Sequence, residues 1–220
     1  MLEETLEILQ RELSKSLYET LIMMGISWII SLIFGLGFGF LLYLTADRNF
    51  FKSPVFNKLI AVIINFIRSI PFIILVVFTL PLTFYLVGTK IGPVAAAVPM
   101  SISATVFLAR LVEMSLKEID RGVIEAAFAT GASSFLIIKN VLLVEAAPSI
   151  ARGVTVTFIS LIGFSAMAGM VGGGGIGNLA VQYGYYRYST GVMIFTIVAL
   201  VIIVQLAQFI GDLAAKKLTH

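Results

Sequence analysis

The chain has 220 residues, 59% of them hydrophobic and only 12% charged, with a mean hydropathy of +1.04 and a net charge of +3. A water-soluble domain carries about 25% charged residues, so the composition excludes one and predicts an all-α polytopic membrane protein. The small, dispersed positive charge argues against nucleic acid as a partner, the absence of cysteine excludes disulfide and thiolate chemistry, and the single histidine, His220, leaves no histidine-based metal site.

The opening stretch, "MLEETLEILQRELSKSLYETL", carries five Glu and no basic region ahead of an early apolar run, so it does not have the pattern of a signal peptide. Leu2, Leu6, Leu9, Leu13 and Leu17 recur at helical spacing and predict an amphipathic lead-in helix continuous with the first span. Residues 20–46 contain no charge and predict that span. Within it Gly35 and Gly39 form G-x-x-x-G, a close-packing face for a helix of the same chain or of a second copy. The second span, about 59–87, is interrupted by Arg68, Pro71 and Pro81. Pro71 lacks an amide hydrogen and crowds the carbonyl of Ile67, which predicts a kink. The third span, about 91–109, carries a small, weakly polar stripe of Ala95, Ala96, Ala97, Ser101, Ser103 and Thr105, suited to packing or to lining a narrow path. The fourth runs from about 147 to 171 and the fifth from about 190 to 210. Each is near or above the roughly 20 residues that a helix needs to cross the hydrocarbon.

Five spans put the termini on opposite sides, and the basic residues orient them. With the N-terminus outside, ten of the 15 Lys and Arg face the cytoplasm, Arg48, Lys52, Arg110 and Lys117 among them. Four, Arg11, Lys15, Lys90 and Arg187, face outward, and Arg68 lies within the membrane. This distribution predicts an external N-terminus, a cytoplasmic C-terminus and a cytoplasmic connection over about 110–146. A connection of about 37 residues is long enough to carry a function of its own. "RGVIEAAFAT" reads as a helix closed by Gly131, and Ser133 or Ser134 can cap a second helix, "FLIIKNVLLVEAA". Ala126, Ala127 and Ala129 give the first helix a thin surface that a partner can approach closely.

Other motifs are excluded by context. "GGGGIG", residues 172–177, satisfies G-x-G-x-x-G but follows a span rather than a strand, so it is no dinucleotide site. It reads as a turned exit from the fourth span, shaped by turn geometry or by close approach of a docked protein. "GFSAMAG", residues 163–169, fails as a hydrolase elbow because Met167 stands at the second glycine position. The chain has no Gly-Lys dipeptide and hence no Walker A loop. Nothing in it composes a catalytic set. Arg68 falls about ten residues past Lys58, roughly 15 Å into the membrane. A guanidinium there serves either to bind a substrate carboxylate or to satisfy carbonyls freed at the Pro71 kink. Met167 falls in the outer half of the fourth span, as a flexible plug or as core packing.

Glu125-Ala126-Ala127, three residues, Gly131, nine residues, then Val141-x-Leu143 resembles the EAA motif, E-A-A-x3-G-x9-I-x-L-P, of the permease subunits of bacterial ATP-binding-cassette importers, the binding-protein-dependent transport permease family. Val141 stands where Ile is usual and Val144 where Pro is usual; the second departure leaves the exit helix straighter. "NFIRSIPFIILVVFTLP", "LARLVEMSLKEIDRGVIEAAFATGAS" and "LIGFSAMAGMVGGGGIGNLAVQYGYYRY" extend the resemblance, most closely to the permease subunits of methionine importers, over the chain from about Tyr18 onward.

The resemblance implies a single transmembrane permease domain over 1–220, with cytoplasmic coupling helices between spans 3 and 4. It implies that Glu125, Ala126, Ala127 and Gly131 couple to a separate cytoplasmic ATPase, present in two copies. It places Met167 and its surroundings at the pathway gate, so Arg68, Pro71, Ser165 and Met167 are the candidates for the translocation path or gate. One coupling loop per chain and a symmetric motor imply a homodimer. The expected function is import of an amino acid, methionine first, across the bacterial inner (plasma) membrane. An extracytoplasmic substrate-binding lipoprotein is the expected donor, and the chain needs no cofactor or metal. The alternative is a stand-alone secondary transporter or channel, which would ordinarily show paired internal repeats with broken helices; no convincing repeat is present.

Overall fold

The computed structural model describes residues 2–47 and 50–219. Met1, Arg48, Asn49 and His220 lie outside the described residues, as does the side chain of Leu2, and with them the expectations placed on Leu2, Arg48 and His220. Every regular element described is helical: α1 Leu2–Ala46, α2 Pro54–Ser69, α3 Phe72–Phe78, α4 Leu80–Val87, α5 Pro93–Lys117, α6 Arg121–Ala129, α7 Ser134–Ile137, α8 Leu143–Ala168, α9 Gly175–Leu179 and α10 Thr190–Leu218. Wider turns of the π type at Ile138–Leu142, Gly169–Gly173 and Ala180–Tyr185 link α7 to α8, end α8, and extend α9. Among the described residues four helical stretches are long and apolar enough to cross a membrane, or five if the bent pair α2 and α3 counts as one. Helices satisfy their own backbone, which is what a lipid environment demands.

α5 is the most buried of the long helices; α1 and α8 pack against it, and α10 packs on α8. Its small residues, Ala95 to Ala97, Ser101, Ala104 and Ala109, are buried and let neighbouring backbones approach closely. The tightest approach is to α1. A β-carbon on Gly35 would stand 2.9 Å from Cβ of Leu108, and one on Gly39 would stand 2.5 Å from Cβ of Val112. The G-x-x-x-G face is therefore occupied within the chain. Ser27 of α1 adds a hydrogen bond from its hydroxyl to the Ala97 carbonyl at 3.2 Å. Around this pair lie two apolar clusters. One, holding Met23, Met100, Phe72 and Leu161, joins α1, α3, α5 and α8. The other, holding Tyr43, Leu116, Ile124, Leu142 and Ala146, joins one end of α1, α5 and α8 to α6.

Several elements depart from the sequence reading. α5 runs to Lys117, eight residues past the apolar stretch, because Arg110, Glu113 and Lys117 lie on one face at i, i+3 and i+7 and neutralise one another. The second helix of the connection is not separate: with Val144 in place of proline, α7 passes through the wide turn Ile138–Leu142 into α8 without a break, and Pro148 is carried inside α8. The second span is more than kinked. α2 and α3 meet at 106°, and α4 is a further short helix beyond Thr79. α9, with its extension, fills what reads in sequence as a loop.

α1 continues without a break through the lead-in. Thr5, Leu9, Ser16 and Thr20 are buried there while Leu6 is 56% exposed, so the packed face is turned relative to the leucine stripe. The reason is the partner surface: Leu9 packs on Leu179 and Val192, and a β-carbon at Gly191 would meet the Thr5 hydroxyl. Nearby, Arg11 donates to the Tyr183 hydroxyl at 3.1 Å and to Glu12 at 3.0 Å. The second bond holds the Glu12 carboxyl below the usual glutamate range.

The α1–α5 approach makes a discriminating forecast. Gly39→Ala should lower the melting temperature of the detergent-solubilised protein, by overpacking of about 1–3 kcal/mol. Gly37→Ala, whose added carbon meets nothing within 4 Å, should leave it unchanged or raise it. Equal effects at the two positions would show the close approach to be wrong.

Candidate functional site

The connection between α5 and α7 is built around α6. Asp120 caps its start by accepting from the Gly122 amide at 2.6 Å. Gly131, at φ +80, turns the chain just after its end, with its amide donating to the Phe128 carbonyl at 2.9 Å. Ser133 then caps α7 through the Leu136 amide at 3.4 Å. α6 has two unlike faces. Ile124 is buried against Tyr43, Leu116, Ile119 and Leu142, and Phe128 packs beside them with its ring 5.4 Å from that of Phe50. Glu125, Ala126 and Ala129 point away and are exposed; Ala127 is half-buried. Ala126 and Ala127 beside Glu125 thus present a thin, accessible ridge, while the opposite face packs through apolar side chains against α1, α5 and α8.

The second group of candidate residues gathers where α2 breaks. Arg68 and Pro71 are both exposed. The break satisfies its own backbone: the Ile70 amide donates to the Ile67 carbonyl at 3.2 Å, and the Pro71 carbonyl accepts from Ile74 at 2.9 Å and Leu75 at 3.0 Å. None of the described residues hydrogen-bonds to the Arg68 guanidinium. The expectation that Arg68 caps carbonyls freed at Pro71 is therefore corrected, since backbone amides already take that role. Arg68 instead sits in the last turn of α2, where the helix dipole favours a cation.

Immediately after the break, Phe72 stacks on Phe164 of α8 with ring centroids 4.5 Å apart. This pair brings Pro71 beside the stretch that holds Ser165 and Met167. The Ser165 hydroxyl is buried and donates to the Ile162 carbonyl of its own helix at 2.7 Å; in this conformation it lines no open path. Met167 is 44% exposed and points away from the core.

Past Met167 the glycine run turns back on itself, with positive φ at Gly172, Gly174 and Gly175. α9 then begins against α1. Glu19 accepts from the Gly175 amide at 2.8 Å, and the Thr20 hydroxyl accepts from the Ile176 amide at 2.9 Å. A β-carbon at Gly174 or Gly175 would collide with those same side chains. Both turn geometry and close approach shape the glycine run, and what approaches is the chain's own first helix. Sequence reasoning missed Glu19 and Thr20, because their partners lie 156 residues away; the only local signal was a carboxylate beside the start of an uncharged span. It missed likewise the hydrogen bond from Arg110 of α5 to Asn65 of α2 at 2.7 Å.

A family profile described as "Binding-protein-dependent transport system inner membrane component" matches residues 35–220. A protein of Vibrio cholerae named "Probable D-methionine transport system permease protein" is 40% identical over 203 residues, covering 92% of this chain and 90% of its own. The "Methionine import system permease protein" of Bacillus subtilis is 45% identical over 202 residues, covering 92% and 91%. A solved structure of a methionine ATP-binding-cassette transporter in inward-facing conformations matches with a TM-score of 0.89 and 43% identity, over 94% of this chain and 96% of that one.

The unbonded guanidinium at the break yields a stability forecast. Arg68→Ala should leave the melting temperature of the purified protein unchanged, because no buried acceptor loses a partner. A drop of the size of a lost buried hydrogen bond, about 1–3 kcal/mol, would return Arg68 to a structural role.

Proposed function

The chain belongs to the family of binding-protein-dependent transport system inner membrane components, and from that footing we propose that it is the permease subunit of an ATP-driven importer whose cargo is methionine. The observation that carries this reading is the likeness, over 94% of the chain at 43% identity, to a methionine ATP-binding-cassette transporter. The relatives that share 40–45% of its residues are named for methionine as well. A stand-alone transporter or channel is not favoured, since those relatives are permeases of transport systems.

The α6 end is cytoplasmic and the α9 end external, in keeping with the excess of Lys and Arg at the former. α6 is the coupling helix. Its exposed ridge, Glu125, Ala126 and Ala127, seats in a separate ATPase subunit, and its buried face passes the displacement to α1, α5 and α8 through Ile124 and Phe128. Gly131 fixes the angle at which the ridge is offered. Two such chains pair about a two-fold axis, each with one ATPase, in the bacterial inner membrane. A substrate-binding lipoprotein delivers methionine to the external face.

The path runs past the break in α2. The Arg68 guanidinium, without a partner among the described residues, is suited to a carboxylate, bidentately. Pro71 supplies the bend that presents it, and Phe72 joins the bend to α8. Met167, flexible and exposed, is the plug of the closed path; Ser165 anchors that segment of helix through its bond to Ile162.

Gly131→Val tests the coupling reading. A β-branched residue is strained at φ +80, so the variant should insert and pair normally while ATPase stimulation and methionine uptake both fall by about tenfold or more. Substrate-stimulated ATP hydrolysis at the parental rate would sink the assignment. Orientation is tested on the same cysteine-free chain. Tyr186→Cys in intact cells should react with a membrane-impermeant maleimide, and Ser133→Cys should not. The reverse labelling pattern would overturn both the orientation and the cytoplasmic place of α6.

A further inference from the structure

Between α6 and the break at Pro71 stands the contact of α2 with α5. α2 lies against α5 through an apolar seam of Ile64, Val106 and Ala109, with Ile60 and Ile67 alongside. Such contacts are non-directional and do not by themselves fix the register of one helix along another.

One directional connection crosses this seam. The Arg110 guanidinium of α5 donates through Nη2 to Asn65 Oδ1 at 2.7 Å and to the Ala61 carbonyl at 3.3 Å, both on α2. Through Nη1 it donates to Glu113, whose residue is only 5% exposed. Glu113 in turn accepts from Lys117 Nζ at 2.7 Å. The Nε of Arg110 is buried without a partner, so the fork is held at the cost of one unsatisfied donor. That is an arrangement favoured by geometry at Nη1 and Nη2 rather than by complete pairing. Below Lys117 the chain enters α6 within four residues. The same helix end is tied to α8, because Glu118 accepts from the Ser149 hydroxyl at 3.0 Å. On α2, Asn65 stands six residues before Pro71, about 9 Å along the helix.

We propose that Asn65, Arg110 and Glu113 form a clamp that locks α2 to α5 in register and so transmits movement of α6 to the break at Pro71. The inference rests on the coupling role given to α6 above. Arg110 and Asn65 act as positioning residues: neither needs to touch the cargo. A planar fork is required because it engages two acceptors on α2 and a carboxylate on its own helix at once. An ammonium in its place keeps the charge toward Glu113 but reaches the α2 acceptors poorly. Glu113 aims the fork, and Lys117 completes the charge balance around it.

The test uses the permease paired with its ATPase in proteoliposomes, with the binding protein and radiolabelled methionine. In Arg110→Lys, ATP hydrolysis should stay within about twofold of the parent while methionine imported per ATP falls about tenfold, the effect of losing one charge-assisted hydrogen bond. Adding Asn65→Asp supplies the ammonium with a carboxylate partner and should restore import per ATP to within about twofold of the parent. A merely structural role would lower thermal stability and ATP hydrolysis together and would not be rescued by a new charge pair. Unchanged import per ATP in Arg110→Lys, or a loss that Asn65→Asp leaves untouched, would overturn the clamp. A second readout needs no cargo. A fluorophore on Ser69→Cys, beside the break, should respond to ATP in the parent and lose that response in Arg110→Lys. No response in the parent, or an equal one in Arg110→Lys, would also overturn the clamp. A parent complex whose probe responds normally yet imports no methionine would instead overturn the cargo assignment and leave the clamp supported.

Discussion

The approach of α1 to α5 at Gly35 and Gly39 is the constraint from which the rest of the architecture follows. With only hydrogen at those positions, Leu108 and Val112 lie against the α1 backbone itself. Two long helices brought this close form a rigid wall. α8 packs against this pair, touching both α5 and α1, and the short α3 and α4 fit against α5. Were the two helices one side chain further apart, neither apolar cluster would close. Ser27 would lose Ala97, and Tyr43 would draw away from Leu116 and Ile124.

This wall connects two dissimilar ends. At the α6 end the contacts are apolar and broad, with aromatic rings of Tyr43, Phe50 and Phe128 layered between helices. At the α9 end the apolar packing of Leu9 on Leu179 and Val192 is joined by directional bonds: two backbone amides are held by Glu19 and Thr20. Broad apolar contact moves as a body, whereas a few hydrogen bonds can break and re-form one at a time. The glycines between Met167 and α9 add backbone freedom at the latter end only.

The sequence made the apolar stretches legible because lipid leaves so little choice: long uncharged runs must be helices, and their lengths report crossing. The start and stop of α6 were legible too, since Gly131 at φ +80 and the serine after it act locally. What was hidden was non-local. Arg110 looks like the end of a span when counted by charge, but Glu113 one turn on neutralises it, and the helix continues. A proline in an apolar run predicts a bend and says nothing of its size; here it is 106°, and Phe72 just past it stacks on Phe164, nearly 100 residues later. The leucine stripe of the lead-in helix was real as a period, yet Thr5 and Ser16 pack inward and Leu6 does not. The surface they face comes from α9 and α10, which no local pattern announces.

α1 is 45 residues in one piece, about 68 Å of rod against roughly 30 Å of hydrocarbon. It is pinned at Glu19 beside α9 and again at Tyr43 beside α6, points about 36 Å apart along the helix. A helix does not lengthen, so the separation of those two ends is fixed. The molecule therefore has a strut of constant length, and its ends can exchange positions relative to the bilayer only by leaning. Membrane thickness then becomes a mechanical setting of the protein, because a thinner or thicker bilayer changes the tilt at which the strut rests.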